Sequence, residues 1–337
     1  MLLNEAQFER ARATLAGTAI GDALGVPYEF ARKLGPNEIP EMKGGGLGNY
    51  APGEWSDDTS MAVAIAEAVA GGRDLTTPEG LDIVARGFMR WYTDFSCSPP
   101  DIGNQTRAVL SATHRRLTRD PDEPVGLAMR AESRAYAVAH PGSAGNGALM
   151  RTSPVALAHL DDRVALAHAA RAVAELTHGD ALAGDSCVLW TEAIRIGILD
   201  GEFNIPAGLD LLPADRRRKW ERWLHAAKTE DPLSFSPNGF TVTALQAAAA
   251  AILQTPRNGR RHFIDSLYAA IRIGNDTDTV AAIAGGLLGS VLDSHAMYRD
   301  WLDAVHGWPY VDGRPTRVAD LYALASHLAP ERWTSEG

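Results

Sequence analysis

The sequence predicts an all-α protein, a single compact orthogonal bundle of many helices. Most apolar segments repeat with a helical period, while alternating runs of Val, Ile, Thr and aromatic residues, which indicate strands, are almost absent. Hydrophobic residues make up 45% of the chain, which is enough for a large core and excludes wholesale disorder. No linker rich in Pro, Ser and Gly divides the 337 residues, so we expect one domain over residues 1–337.

The helical segments follow one another along most of the chain. Segments that are apolar on one stripe, or nearly all round, predict helices at residues 62–70, 81–92, 164–176, 187–199, 242–254, 262–273 and 280–292. Their abundant Ala and Gly indicate that the helices approach one another closely. Residues 291–337 are expected to form a C-terminal helical extension of the same domain.

Two stretches look irregular. Residues 42–54 are rich in Gly and Pro, which is typical of a loop, and residues 213–239 are charged and close with Pro and Gly. The basic run RRRK at 216–219 is interpreted as a solvated helix face, because a binding patch fits poorly with an acidic chain.

Composition limits the partners and the compartment. The net charge of −10 argues against a nucleic acid or an anionic membrane as partner. Two cysteines, Cys97 and Cys187, are too few for a disulfide framework or a thiolate metal site. No apolar window reaches the roughly 18 residues that a membrane-spanning helix needs, and charged residues interrupt the first dozen positions. We expect a cytoplasmic monomer.

Two similar clusters open two apolar helices. The first is WSDDTSM at residues 55–61, and the second is GNDTDT at residues 274–279. Each holds two carboxylates with hydroxyls beside them, whereas a helix N-cap needs only one such side chain. Either cluster alone is more often a cap than a ligand set, but the recurrence favours ligands. Helices this apolar must be buried, so we expect the four carboxylates to converge, where they repel unless a cation or protons compensate them.

The ligand chemistry narrows the choice of metal. Carboxylate and hydroxyl oxygens without a nearby Cys favour Mg²⁺, Mn²⁺ or Ca²⁺ over zinc. Four acids exceed the needs of one Mg²⁺, which keeps several waters. Two cations about 3.5–4 Å apart, bridged by a shared carboxylate, would use all four. The sequence therefore predicts a binuclear metal cleft.

With these clusters the chain resembles the ADP-ribosylglycohydrolases, in particular the bacterial branch that includes the dinitrogenase reductase-activating glycohydrolase. The likeness covers residues 11–290 in the family's order, and the two Asp-Thr clusters are its most specific part. The matching motifs are GTAIGDALG at 17–25 followed by Glu29 and Phe30, PGEWSDDT at 52–59, DIGN at 101–104, GNGALMR at 145–151, TH at 177–178, NGF at 238–240, GNDTDT at 274–279 and AGG at 284–286.

The resemblance implies two divalent cations, Mg²⁺ or Mn²⁺, at the floor of a cleft. The family usually has Thr where this chain has Ser56; the hydroxyl is retained, and the lost methyl removes a constraint on the rotamer. Asn275 replaces a frequent Gly and is not expected to bind metal. The implied ligands are Ser56, Asp57, Asp58, Asp276, Asp278 and Thr279.

Two further acids are candidates for catalysis. Glu29 would by default be an exposed loop acid, and Asp101 could simply cap the helix that runs to His114. The resemblance instead makes Glu29 the acid or base that handles water or the leaving group. It places Asp101 against the scissile ribose and its acceptor.

Four residues are expected to bind substrate: Gly103, Asn146, Gly147 and His178. The segment 145–147 could be only a turn, but with Ser143 it also offers backbone N–H groups suited to a diphosphate. His178 could complement a helix dipole, whereas the family places it on a phosphate or ribose. Met150, Trp190 and residues 247–251 are interpreted as core.

The expected activity is metal-dependent hydrolysis of the glycosidic bond that links ADP-ribose to a protein side chain. The segment 101–103 and the bacterial character of the motifs favour arginine as the acceptor. Serine-linked or other O-linked or small-molecule ADP-ribose conjugates are the alternative. A two-metal phosphoester hydrolase is a rival enzyme. A catalytically inactive ADP-ribose-binding or structural module is the rival of another class, and the intact Glu29 and cluster acids argue against it.

Overall fold

The structure, a computed structural model, describes residues 3–329, and the prediction of an all-α fold is confirmed. All seven predicted helical segments lie on observed helices, and none runs more than two residues past a helix end. No helix of the described chain is both long enough and apolar enough to cross a membrane. The helices are α1 Glu5–Gly25, α2 Asp57–Ala70, α3 Pro78–Asp94, α4 Asn104–Arg119, α5 Val125–Ala139, α6 Arg163–Ala174, α7 Ala181–Asp200, α8 Ala214–Thr229, α9 Thr241–Leu253, α10 Arg261–Ile273, α11 Thr277–Leu292, α12 Arg299–Ala304 and α13 Val318–Leu324.

The centre of the bundle is the contact between α1 and α11. Gly17 and Gly21 are one helical turn apart on the face of α1 that touches α11. A Cβ atom would lie 2.2 Å from the Gly285 carbonyl oxygen if added to Gly17, and 2.0 Å from that of Ala281 if added to Gly21. Only glycine permits this approach, which brings the end of α1 against the start of α11.

The remaining core is built from the predicted apolar helices. Trp190 of α7 is buried, and its indole N–H donates to the Ile283 carbonyl of α11 at 3.0 Å. The alanine run at 247–251 in α9 is fully enclosed. The interpretation of both features as core is confirmed.

The helical extension expected over 291–337 is correct only in part, because a two-stranded antiparallel hairpin lies between α12 and α13. The hairpin consists of β1 His306–Val311 and β2 Arg314–Arg317, and residues 330–337 lie outside the described chain. The hairpin depends on distant contacts. The His306 carbonyl accepts from the Trp55 N–H at 3.0 Å, and the Trp55 indole N–H donates to the Trp308 carbonyl at 3.1 Å. Because these partners are far away in sequence, the local pattern does not reveal them. The hairpin thereby holds the segment that enters α2.

The charged stretch 213–239 is also more regular than expected, since α8 fills its first half. Arg216 forms an ion pair with the buried Asp185 at 2.5 Å, and Arg217 donates to the Leu209 carbonyl at 2.9 Å. The prediction of a solvated helix face is therefore confirmed for Arg218 and Lys219, which are exposed, and wrong for Arg216 and Arg217.

Candidate active site

The start of α2 is capped by a side chain from α1. Asp22 Oδ1 accepts from the Ser56 N–H at 2.9 Å, while its Oδ2 accepts from the Thr59 N–H and hydroxyl at 2.9 and 2.6 Å. The Ser56 hydroxyl makes no capping bond and donates to Asp58 Oδ2 at 3.0 Å. Because Asp22 satisfies these N–H groups, Asp57 and Asp58 are not required as caps.

The two acidic clusters converge in the structure. Carboxylate oxygens of Asp22, Asp58 and Asp278 all lie within 4.8 Å of one another, and all three side chains are buried. The Thr279 hydroxyl lies 3.5 Å from Asp58 Oδ2, to which it donates. The N-termini of α2 and α11 therefore meet, as predicted, around acids drawn from three helices.

A second group of carboxylates shares Asp278 with the first. Oxygens of Glu29, Asp101 and Asp278 lie within 4.8 Å of one another. Glu29 is only 9% exposed, which excludes the exposed loop acid. Asp101 does not cap α4, because that helix begins at Asn104 without a side-chain cap. Both acids therefore belong to the same cleft as the clusters.

The backbone beside these two acids adopts left-handed conformations. Phe30 has φ +48° and Asp101 has φ +64°, a region that bulky residues rarely occupy. The Phe30 N–H donates to the Asn275 carbonyl at 2.7 Å, and Asn275 also has φ +64°. Such conformations persist only where the surrounding structure imposes them. They fix Glu29 and the second cluster relative to each other.

Asp276 is held by two asparagines. Its carboxylate accepts from Asn146 Nδ2 at 2.7 Å, and its N–H donates to Asn238 Oδ1 at 3.0 Å. The Asn146 N–H itself donates to the Gly239 carbonyl at 3.1 Å. Asn146 thus orients Asp276, and its N–H is already used, so Gly147 remains the donor expected for a diphosphate.

Most of the predicted site residues line one cleft with a volume of about 620 Å³. Ser56 and Asp58 are buried next to this cleft and are joined to it through the Thr279 hydroxyl. Met150, interpreted as core, is buried but also lines it. The predicted residues that line the cleft are Glu29, Asp57, Asp101, Gly103, Asn146, Gly147, His178, Asp276, Asp278 and Thr279.

Burial of so many acids shifts their protonation equilibria. Burial, followed by repulsion from Asp278 and Asp101, raises the pKa of Glu29 to about 12. Burial likewise raises the pKa of Asp22 to about 6, although three hydrogen bonds to its carboxylate oppose the shift. Burial and neighbouring carboxylates also raise the pKa values of Asp57, Asp58 and Asp278.

Among the described residues, no cationic side chain is paired with these carboxylates. Within residues 3–329, no Lys or Arg forms an ion pair with any of the seven acids of the site, which are Asp22, Glu29, Asp57, Asp58, Asp101, Asp276 and Asp278. Three of their buried oxygens, Asp58 Oδ1, Glu29 Oε2 and Asp101 Oδ2, have no hydrogen-bond partner there. Carboxylate and hydroxyl oxygens are the donors that hard divalent cations prefer, so the residues present fit Mg²⁺ or Mn²⁺.

Comparison with known proteins identifies the family of the chain. A family model described as ADP-ribosylglycohydrolase matches residues 3–336. The chain belongs to the ADP-ribosylglycohydrolase family. It is therefore an enzyme of the class that hydrolyses ADP-ribose conjugates.

Relatives of this ADP-ribosylglycohydrolase share most of its length. The ADP-ribosylarginine hydrolase Tri1 of Pseudomonas putida is 30% identical over 313 residues, which cover 90% of this chain and 76% of the relative. The ADP-ribosyl-[dinitrogen reductase] glycohydrolase of Rhodospirillum rubrum is 29% identical, with 87% and 89% covered. A solved ADP-ribosylglycohydrolase-related protein complex matches with a TM-score of 0.73 and 28% identity, covering 96% of this chain and 98% of the other.

The sequence analysis included Asp22 and Asn238 in motifs of this ADP-ribosylglycohydrolase but assigned neither residue a role. Asp22 is a lone acid in an otherwise apolar part of α1, and that isolation is the signal that could have revealed it. Asn238 gives no such signal, because loops commonly contain Asn beside Gly. The two residues hold the first and second clusters respectively, through the hydrogen bonds described above.

Proposed function

We propose that this ADP-ribosylglycohydrolase removes ADP-ribose from a protein side chain, with arginine as the acceptor and two divalent cations, Mg²⁺ or Mn²⁺, as cofactors. The observation that carries the proposal is that two clusters of carboxylate side chains lie at one cleft and share Asp278. One cluster adds Asp22 and Asp58, and the other adds Glu29 and Asp101. The relatives named as hydrolases of ADP-ribosylarginine and of ADP-ribosyl dinitrogen reductase support the class of substrate.

The cations would be held by the predicted ligands. Asp22 orients this set from behind, because both of its carboxylate oxygens already accept hydrogen bonds from α2. When bound, the cations would supply positive charge for the ribose hydroxyls and lower the pKa of a bound water. The ligands proposed from the sequence and supported by the convergence are Ser56, Asp57, Asp58, Asp276, Asp278 and Thr279.

Glu29 and Asp101 are the residues proposed to move protons at the scissile bond. Their carboxylate oxygens lie together, and Glu29 Oε2 and Asp101 Oδ2 have no partner among the described residues. Hydrolysis breaks the bond from C1″ to the acceptor atom through an oxocarbenium-like state; the hydroxyl of water goes to C1″ and a proton goes to the acceptor. Glu29 would hold and transfer that proton, and Asp101 would orient the Glu29 side chain.

The acceptor is proposed from charge. A guanidinium leaving group is cationic, and Asp101 at the wall of the cleft would hold it by charge-assisted hydrogen bonds. The net charge of −10 also favours the approach of a basic protein segment. At physiological salt this electrostatic attraction is screened beyond roughly 8 Å.

Product analysis with two model peptides, one ADP-ribosylated on arginine and one on serine, tests the proposal. We expect free ADP-ribose in the presence of Mg²⁺ or Mn²⁺, released faster from the arginine peptide. Asp101→Asn should lower both the rate and this preference. Release of phosphate or a nucleotide would indicate a phosphoester hydrolase, and binding without turnover would indicate a binding module. Faster release from serine would overturn the acceptor alone.

A further inference from the structure

A buried arginine lies behind His178 and forms no ion pair with a carboxylate in the described part of the chain. Arg151 is fully buried, and it takes part in no salt bridge within residues 3–329. Its guanidinium lies 4.2 Å from the centre of the Phe88 ring, and Nη1 lies 3.2 Å from Met61 Sδ. An unpaired buried charge is costly, and apolar residues in such places often give equal or greater stability. The presence of Arg151 therefore calls for an explanation other than packing.

The remaining contact of this guanidinium leads to the cleft. Arg151 Nη2 lies 2.5 Å from Thr177 Oγ1, which in turn lies 2.8 Å from His178 Nδ1. Thr177 and His178 are both buried, and His178 lines the cleft. The three residues form a chain of hydrogen bonds from the protein interior to the site.

The chemistry of the donors sets the direction of this chain. A guanidinium can only donate, so Thr177 Oγ1 accepts from Arg151. The hydroxyl then has one proton to donate, and His178 Nδ1 is its other partner in the described chain. If Nδ1 accepts that proton, every group in the chain is satisfied, and the ring proton of a neutral imidazole lies on Nε2. A protonated Nδ1 would instead leave the proton of the buried Thr177 hydroxyl without an acceptor, which is costly.

The other edge of the ring faces the cleft. A Cβ atom added to Gly147 would lie 3.1 Å from His178 Nε2, and one added to Gly145 would lie 3.4 Å from it. These two glycines therefore leave room for the Nε2 edge. Burial, together with the charge of Arg151, lowers the pKa of His178 to about 3, so the ring stays uncharged at neutral pH.

We propose that Arg151 is a positioning residue which, through Thr177, fixes His178 as a neutral imidazole whose Nε2–H donates to an oxygen of the ligand. The part played by the ligand rests on the proposed function, whereas the tautomer does not. His178 then contributes a directed hydrogen bond rather than a positive charge or a proton-transfer group. Arg151 itself touches no ligand.

Nitrogen NMR of protein labelled with ¹⁵N at histidine tests the tautomer without any ligand. His178→Asn assigns the signals. We expect an unprotonated Nδ1 and a protonated Nε2 in the wild type and in Thr177→Ser, which keeps the hydroxyl. Thr177→Val, which has the same shape without the hydroxyl, should populate the other tautomer. Arg151→Met provides a second way to break the chain, and thermal unfolding checks that each variant is folded.

Calorimetric titration with ADP-ribose provides the second measurement. Thr177→Val should bind about three- to tenfold more weakly than Thr177→Ser, which is the effect of one neutral hydrogen bond. A protonated Nδ1 in the wild type would overturn the proposal, as would an unchanged tautomer in both Thr177→Val and Arg151→Met. If ADP-ribose binds no form of the protein, the proposed function fails, and the NMR spectra still decide the role of Arg151.

Discussion

Two regions of this molecule bury carboxylates, and they compensate the charge in different ways. Asp185 in α7 is fully buried and forms ion pairs with Arg171 and Arg216, both at 2.5 Å. It also accepts from the Trp220 indole N–H at 3.2 Å. The cleft acids, typified by Asp278, have other carboxylates as neighbours instead of cations.

The two kinds of buried carboxylate serve different purposes: one contributes to stability and the other to function. An acid whose cation is built into the chain holds helices together, because breaking a buried pair leaves an uncompensated charge. Acids gathered without a cation repel one another and must bind protons or an external cation. Asp185 joins α6, α7 and α8 in the first way. The cleft acids, by contrast, need protons or an external cation to compensate their charge.

The largest expected effect comes from Asp278→Asn. We expect the release of ADP-ribose to fall by roughly 10³-fold, because Asp278 belongs to both carboxylate groups. The melting temperature of the metal-free variant should be equal to or higher than that of the wild type, since a neutral amide avoids the cost of burying a carboxylate or of keeping it protonated. Activity assays and calorimetry measure the two quantities. A variant that keeps its activity, or that unfolds more easily without metal, would contradict this interpretation of the cleft.

Asp185→Asn is the matched control, since it makes the same chemical change at an ion-paired acid. We expect it to lower the free energy of unfolding by about 3–5 kcal/mol, because Arg171 and Arg216 lose their partner. At a temperature where the variant is folded, its kcat should stay close to that of the wild type. Denaturant unfolding measures the loss. Unchanged stability would remove the contrast between the two regions.

Glu29→Gln divides the cleft into binding and chemistry. We expect kcat to fall by roughly 10²-fold while ADP-ribose still binds, since general acid–base catalysis contributes effects of that size. Glu41→Gln, a change at an exposed acid, serves as the control. Steady-state kinetics and calorimetric titration give the two values. Normal turnover together with lost binding would make Glu29 a binding residue.

The pH dependence of stability gives the smallest effect. The pKa values of Asp22 and Glu29 are raised, to about 6 and about 12, so the folded protein binds more protons than the unfolded chain. The free energy of unfolding of metal-free protein should therefore fall as the pH rises from about 6 to about 8. Mg²⁺ binds the deprotonated acids. The increase in the protein's melting temperature that Mg²⁺ causes should therefore be about 2–4 °C larger at the higher pH. An equal increase at both values would oppose this account.

The features predicted correctly from the sequence are those that depend on residues close together in the chain. The helical period gives the apolar helices, and the two Asp-Thr clusters each stand within a few adjacent positions. The features that were missed depend on distant partners. Asp22 accepts from the Ser56 N–H at the start of α2, 34 residues away in the sequence. Arg216 is half-buried through its ion pair with Asp185, 31 residues before it. The extent of the domain, the monomeric state and the cytoplasmic location stay predictions.

The central claim is that the cleft acids hold protons until divalent cations replace them. Calorimetric titration of Mn²⁺ into metal-free protein, in two buffers that differ in ionisation enthalpy, measures both binding and proton release. We expect Mn²⁺ to bind wild type and Asp185→Asn with the release of protons, and to bind Asp278→Asn much more weakly. Binding that releases no protons, or that is equally strong in Asp278→Asn, would contradict the claim.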